Sequence, residues 1–208
     1  MNTSRFKQAG SLILAIALIL SAFSLSAQQS SGKGDKINGH EYVDLGLSVK
    51  WATCNVGASE PGDYGKYFAW GEIEEKFSYT WGDYKLRDLC CITLGEKNDA
   101  ATAEWGEKWR MPTMEEWNEL RDKCIWKWMK RGGNWGHEVQ GPNGNTIFIP
   151  AAGVKFINTK GFADKAGYYW SSTFYSPGSA YFLHFDSENV NVVFNNRGNG
   201  QSIRPVTE

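Results

Sequence analysis

The segment WRMPTMEEWNELRDKC, Trp109 to Cys124, constrains the fold of this chain more than any other. Thr113 stands three residues before Glu116, the spacing of a capping box in which hydroxyl and carboxylate each satisfy an otherwise unpaired amide. Behind that start, Trp117, Leu120 and Cys124 recur at intervals of three and four along one face, so a helix from about Met114 to Lys123 is expected. Glu115, Glu116 and Glu119 read as solvated acids favoured by the helix dipole. Elsewhere the periods are those of strands and loops. EYVDLGLSVKWATCNVG alternates around Gly46, as two short strands or one bent strand would. PGDYGKYFAWGE reads as an ordered loop, and Glu72 to Glu96 as mostly irregular, anchored by Trp81, Tyr84 and the Cys90-Cys91 pair. PNGN separates two strand-like runs and predicts a hairpin. The final stretch from Tyr181 reads as strand, loop, strand. With ten Trp and 23 Gly, irregular segments pinned by large aromatic side chains are expected. These elements predict an α+β domain.

The N-terminus is set apart from this domain. Arg5 and Lys7 precede an apolar run from Leu12 to about Phe23, and Ser24, Ser26 and Ala27 supply small residues for cleavage. This is the layout of a secretory signal peptide over residues 1–27, the apolar run being shorter than the roughly 20 residues of a spanning helix. The alternative is an uncleaved N-terminal anchor. Residues 28–36, QQSSGKGDK, form a flexible leader, and residues 37–208 a single domain. Export places the protein at the cell surface, in the periplasm or outside the cell, with no membrane insertion after cleavage. Four cysteines would then meet an oxidising compartment. Cys54 or Cys124 paired with one of Cys90 and Cys91, or buried free thiols, are both compatible with the spacing.

The chemistry points away from catalysis. The 22 Lys and Arg nearly cancel 23 Asp and Glu, so no basic field argues for nucleic acid. His40, His137 and His184 are dispersed and lack metal-ligand spacing. There is no phosphate-binding loop, nucleophile elbow or dinucleotide fingerprint, and the acidic loops lack the pattern of a calcium-binding hand. The expectation is a protein that is not an enzyme, needs no cofactor and acts as a monomer.

WRMPTMEEWNEL, GYYWSST and SIRPV, with VDLGLSVKWATCNVG and YFAWGE upstream, resemble the Fibrobacter succinogenes major paralogous domain family of exported bacterial proteins, over about His40 to Val206. That family is similar in pattern to the formylglycine-generating, sulfatase-modifying fold. The resemblance implies a C-type-lectin-like mixed domain with one main capped helix, short twisted sheets and long ordered loops forming a ligand face. The cysteines of the enzyme branch have no counterpart after Cys124, and the EPN, QPD and WND tripeptides of calcium-dependent lectins are absent.

The segment from Gly167 to Val206 also resembles the variable region of proteins diversified by retroelements, in which adenines of Asn-type codons are rewritten. In AYFLHFDS, Tyr181, Leu183 and Phe185 would face the core, and Phe182, His184 and Asp186 would face outward. The same rule selects Phe174, Tyr175, Ser179, Asn189, Asn191, Val193, Phe194, Asn195, Asn196 and Asn199 as ligand-binding positions within a face formed by 169–204. Trp170 and Arg204 are assigned to the scaffold. The competing reading is that Asn and Gly simply suit turns. The expected function is a binding module of adhesin or receptor type that engages a protein or glycan. The alternatives are a structural component of a surface appendage and a degenerate, non-catalytic relative of sulfatase-modifying enzymes.

Overall fold

A computed structural model describes residues 35–90 and 92–208. The expected signal peptide, most of the leader and Cys91 lie outside the described residues. The chain begins with β1 (Lys36–Ile37), β2 (His40–Val43) and β3 (Lys50–Ala52), then runs without a named element to a 3-10 turn at Glu96–Asn98. Two helices follow, α1 (Ala100–Trp105) and α2 (Met114–Lys123). The second half is strands: β4 (Ile125–Arg131), β5 (Asn134–Gln140), β6 (Thr146–Pro150), β7 (Val154–Phe156), β8 (Thr159–Gly161), β9 (Gly167–Ser176), β10 (Ser179–Phe185), β11 (Val190–Asn196) and β12 (Val206–Thr207).

The strands form four small sheets, β1-β2-β3-β12, β11-β10-β9, β4-β5-β6 and β7-β8, and every strand pair is antiparallel. The described chain is 40% strand and 11% helix, which overturns the expected α+β, C-type-lectin-like domain built around one main helix. The physical reason is that the helical signals are confined to two short capped segments, six residues behind Asp99 and ten behind Thr113. The aromatic and β-branched residues that dominate after Cys124 favour a pleated surface. Among the described residues, no helix is long and apolar enough to cross a membrane.

The capped helix itself forms where the local signal puts it. Glu116 N–H donates to Thr113 Oγ1 at 3.2 Å, and Thr113 N–H to Glu116 Oε2 at 2.8 Å, closing the capping box. Arg110 holds the same carboxylate with both terminal nitrogens, at 2.7 and 2.8 Å. Trp117 and Leu120 bury the inner helix face in a core with Trp51, Val139, Ile149, Tyr169, Leu183, Phe185 and Val206. A second core joins Phe68, Trp70, Trp105, Trp109, Met111, Trp170, Phe182 and Ile203.

β9 lies between these two cores. Tyr169 belongs to one and Trp170 to the other, as alternation along a strand covered on both faces requires. Three buried indoles are satisfied by carbonyls: Trp170 Nε1–H donates to Phe68 at 2.8 Å, Trp70 to Ser171 at 2.8 Å, and Trp117 to Trp170 at 3.2 Å. Thus the long stretch after β3 is irregular in backbone yet tied to the sheet by tryptophan. The PNGN hairpin also forms, pairing Gln140 with Thr146.

Two buried arginines complete the scaffold. Arg204 donates Nε–H to Asn55 Oδ1 at 2.9 Å, Nη1 to Ala52 O at 2.9 Å and Thr53 O at 2.6 Å, and Nη2 to Phe148 O at 3.0 Å. These acceptors are neutral, so carbonyl and amide dipoles balance a charge that burial would otherwise expel. Arg197 donates to the carbonyls of Leu89 at 2.7 Å and Arg87 at 2.9 Å, and also to Pro177. Its guanidinium lies 5.2 to 5.5 Å from the rings of Trp70, Tyr84 and Phe174.

Candidate functional site

The sheet β9-β10-β11 carries the positions selected from the sequence, and its register arranges them in rows. Tyr168, His184 and Asn191 form one row, Trp170, Phe182 and Val193 the next, and Phe174, Ala180 and Asn195 a third. Leu183 and Phe185 point to the opposite face and are fully buried, as alternation predicts. Phe182 is not the exposed contact residue expected. It is only 4% exposed, because the segment carrying Trp70, Trp109 and Met111 covers this part of the sheet's second face. Phe174 is half-buried there too, close to Trp70 and Arg197.

Beyond that cover the row of Tyr168, His184 and Asn191 remains open. Tyr168 stacks on Phe182 with centroids 5.7 Å apart and planes 5° apart, and its edge meets His184 at 4.9 Å. Phe162 lies 6.1 Å from Tyr168 and 6.3 Å from Phe156, so the rings form a continuous strip from the β7-β8 hairpin onto the sheet. Asn191 and Val193 border it, Val193 being 40% exposed. Burial lowers the pKa of His184 below the usual imidazole value, against the opposing charge of Asp186, so the ring is neutral at neutral pH. It therefore offers one donor and one acceptor beside aromatic faces.

Two residues at this strip break a backbone rule. Ile157 has φ 55° and Phe162 φ 61°, a left-handed conformation that costs an L-residue roughly 1–2 kcal/mol. Both are also exposed, by 61% and 52%. The hairpin is held in place by mutual backbone bonds between Tyr79 and Ile157, at 2.8 and 3.0 Å. Phe162 and Tyr168 are absent from the sequence-derived set; the Gly-rich run GFADKAGYY marks the region but carries no signal for ring exposure or φ.

Most of the asparagines have structural work at the ends of β11. Asp186 Oδ1 accepts from the backbone N–H of Glu188 and of Asn189, each at 2.8 Å, closing the β10-β11 turn. His137 fixes the same turn from beneath, its Nε2–H donating to Asp186 O at 2.7 Å. At the other end Asn195 Oδ1 accepts from Asn196 N–H at 2.8 Å and Asn199 Nδ2 at 3.1 Å, and Asn196 Oδ1 accepts from Gly198 N–H at 2.8 Å. Asp186, Asn189, Asn195, Asn196 and Asn199 are thus engaged in turns, which is the local role that short polar side chains favour.

The remaining selected residues lie on the other face. Tyr175 stacks on Phe194 at 4.1 Å and meets Tyr181 edge-on at 5.2 Å, with half-buried Ser179 beginning the same hairpin. The structure therefore divides the selected positions between two faces rather than gathering them into one.

A second hollow, of about 440 Å³, opens beside β2 and is lined by His40, Glu41, Cys54, Ser59 and Trp105 among others. His40 stacks on Trp105 at 3.7 Å, and burial lowers its pKa. Cys54, Cys90 and Cys124 are free thiols. Among the described residues, no three His, Cys, Asp or Glu side chains are grouped so as to hold a metal ion. Comparison with protein-family models, curated proteins and solved structures finds no match to this chain.

Proposed function

We propose that this chain is an exported binding module whose outer strip, Phe162, Tyr168, His184, Asn191 and Val193, engages a protein or glycan. The observation that carries the reading is the pairing of exposure with strain at Ile157 and Phe162. An exposed apolar ring gains little from folding, and the positive φ of these turn positions would cost glycine less, so the choice of Ile and Phe there is not the one stability favours. Strain of this kind concentrates at binding sites, where the surrounding structure holds it in place. The strip supplies ring faces for stacking, with His184 and Asn191 supplying directional hydrogen bonds.

The signal-like residues 1–27 support export, and the resemblance to a family of exported bacterial proteins supports a role at the cell surface. If the segment is diversified, positions 184, 191 and 193 are those where replacement leaves both cores intact.

The test is capture of glycans and host proteins on an array, comparing the wild-type chain with Phe162→Gly and His184→Ala. Phe162→Gly removes the ring and relieves the strained φ, so it should abolish capture with folding retained. Capture unchanged in both variants would refute the strip as the site.

A further inference from the structure

β11 is the outer strand of its sheet, and its hydrogen-bonding parity can be read from the two ends of the hairpin. Asp186 N–H donates to Asn189 O and Arg197 N–H to Gly178 O, both in the register of the β10-β11 ladder. In an antiparallel pair the bonded residues alternate. Asn191, Val193 and Asn195 therefore face β10 with their amides and carbonyls, and Val190, Val192, Phe194 and Asn196 direct theirs to the free edge. The Asn196 amide is taken by Asn195 Oδ1. The Asn196 carbonyl accepts from Asn199 N–H at 3.1 Å, and among the described residues no backbone group outside the hairpin bonds to the outward groups of Val190, Val192 and Phe194.

The other long edges are dealt with. β9 is covered by backbone bonds from Trp170 to Ser202, Ser172 to Pro112 and Phe174 to Ile92. β4 carries Lys127, Lys130 and Arg131, cations of the kind that discourage edge pairing. On β6, Arg204 occupies the Phe148 carbonyl and the Tyr169 hydroxyl the Pro150 carbonyl. β11 has neither cover nor charge: VNVVFNN contains no Lys, Arg, Asp, Glu or Pro. Exposed apolar side chains also collect there, Val193 and the Tyr175-Phe194 stack.

We infer that β11 pairs antiparallel with β11 of a second copy of this chain, about a two-fold axis through Val193. This occupant follows from the self-complementarity of the strand. Centred on Val193, the outward groups of Val192 meet those of Phe194 in the other copy, on both sides of the axis. Side chains match in the same register: Val193 opposes Val193, Asn191 opposes Asn195, and Val192 opposes Phe194. Apolar meets apolar, amide meets amide, and the uncharged strand brings no like charges together. A C2 contact requires this matching of a surface to itself. The result is a continuous six-stranded sheet in which the open row of each copy, ending at Asn191, runs on into the row of the other that ends at Asn195. The pairing departs from the expected monomer, and it stands or falls independently of whether the strip takes a ligand.

Light scattering across a concentration series should give the mass of two chains. Val192→Pro removes an amide that faces away from β10, so the hairpin keeps its ladder and the mass should fall to one chain. Val193→Cys places two thiols on the axis. A non-bonded antiparallel pair has its Cα atoms about 4.5 Å apart, within reach of a disulfide. Under oxidation this variant should cross-link to a dimer well above the wild-type background of native cysteines, and Asn191→Cys, which faces position 195, should not. A monomer at every concentration overturns the inference, as does a dimer in which Asn191→Cys cross-links and Val193→Cys does not. Should Val192→Pro fail to fold, the wild-type mass and the cross-linking pair still decide.

Discussion

Replacing Arg204 tests whether the scaffold depends on a buried charge without a counter-ion. The wild-type guanidinium makes four bonds, from Nε and both terminal nitrogens, to Asn55, Ala52, Thr53 and Phe148. Arg204→Lys keeps the charge but replaces a planar fork with one compact donor group, which cannot reach acceptors on both sides of the site. At least two buried acceptors lose their partner, each at about 1–3 kcal/mol. A net loss of about 3 kcal/mol follows, equivalent to roughly 6–12 °C in Tm for a chain of this size. Arg204→Met removes the charge as well, recovering some desolvation energy while stranding all four acceptors, so its loss should be similar or greater. Urea unfolding followed by tryptophan fluorescence measures both, with an unchanged denaturant slope confirming a comparable transition. A Met variant more stable than wild type would refute the reasoning, because the cost of burying the ion would then exceed the worth of its bonds.

Phe182→Ala should cost about 3–5 kcal/mol as a core cavity, whereas Asn191→Ala at the exposed strip should stay within about 0.5 kcal/mol; equal losses in chemical denaturation would mean the two rows are not distinct. Thr113→Ala should destabilise by about 1 kcal/mol through loss of the capping box, and a double mutant with Glu116→Ala should lose less than the sum. His40, His137 and His184 all have pKa values lowered from 6.5, chiefly by burial. The unfolded chain therefore takes up protons first as pH falls, and stability should be full above about 6.5 and decline below it; a flat stability profile from about pH 7.5 to 5 would contradict the burial of these rings. Burial also pushes the Cys124 thiol up to about 11. In the native state Cys124 should alkylate far more slowly than exposed Cys90, as mass spectrometry of labelled peptides would show.

What was legible in the sequence is what neighbours along the chain decide. The capping residues and helical period fix α2 at Met114–Lys123, and PNGN fixes the β5-β6 hairpin. The error over Phe182 has a different origin. Alternation correctly separates it from Leu183, but a period of two cannot say whether the second face meets solvent or another layer. Here it meets Trp70 and Met111, which arrive from far upstream through an irregular segment. The same limit misled the fold class: one helix with strong local signals outweighed many short strands whose partners are distant. Five of the Asn and Asp positions looked like an exposed surface and prove to be turn-formers, because composition does not reveal which acceptor a side chain will find.

The pairing of Val206 with Trp51 and of Thr207 with Lys50 has a consequence for the order in which the chain can fold. Arg197 clasps carbonyls of residues 86, 87 and 89, and Arg204 those of residues 52, 53 and 148. Each core thus remains unfinished until the last strand has been synthesised. Such high contact order makes the search for the native state slow, since distant segments must meet before their contacts contribute. A growing chain would expose tryptophan-rich segments throughout elongation, a period in which collapse and aggregation compete with folding. Late closure thus leaves both cores without their final contacts until residues 197–207 emerge.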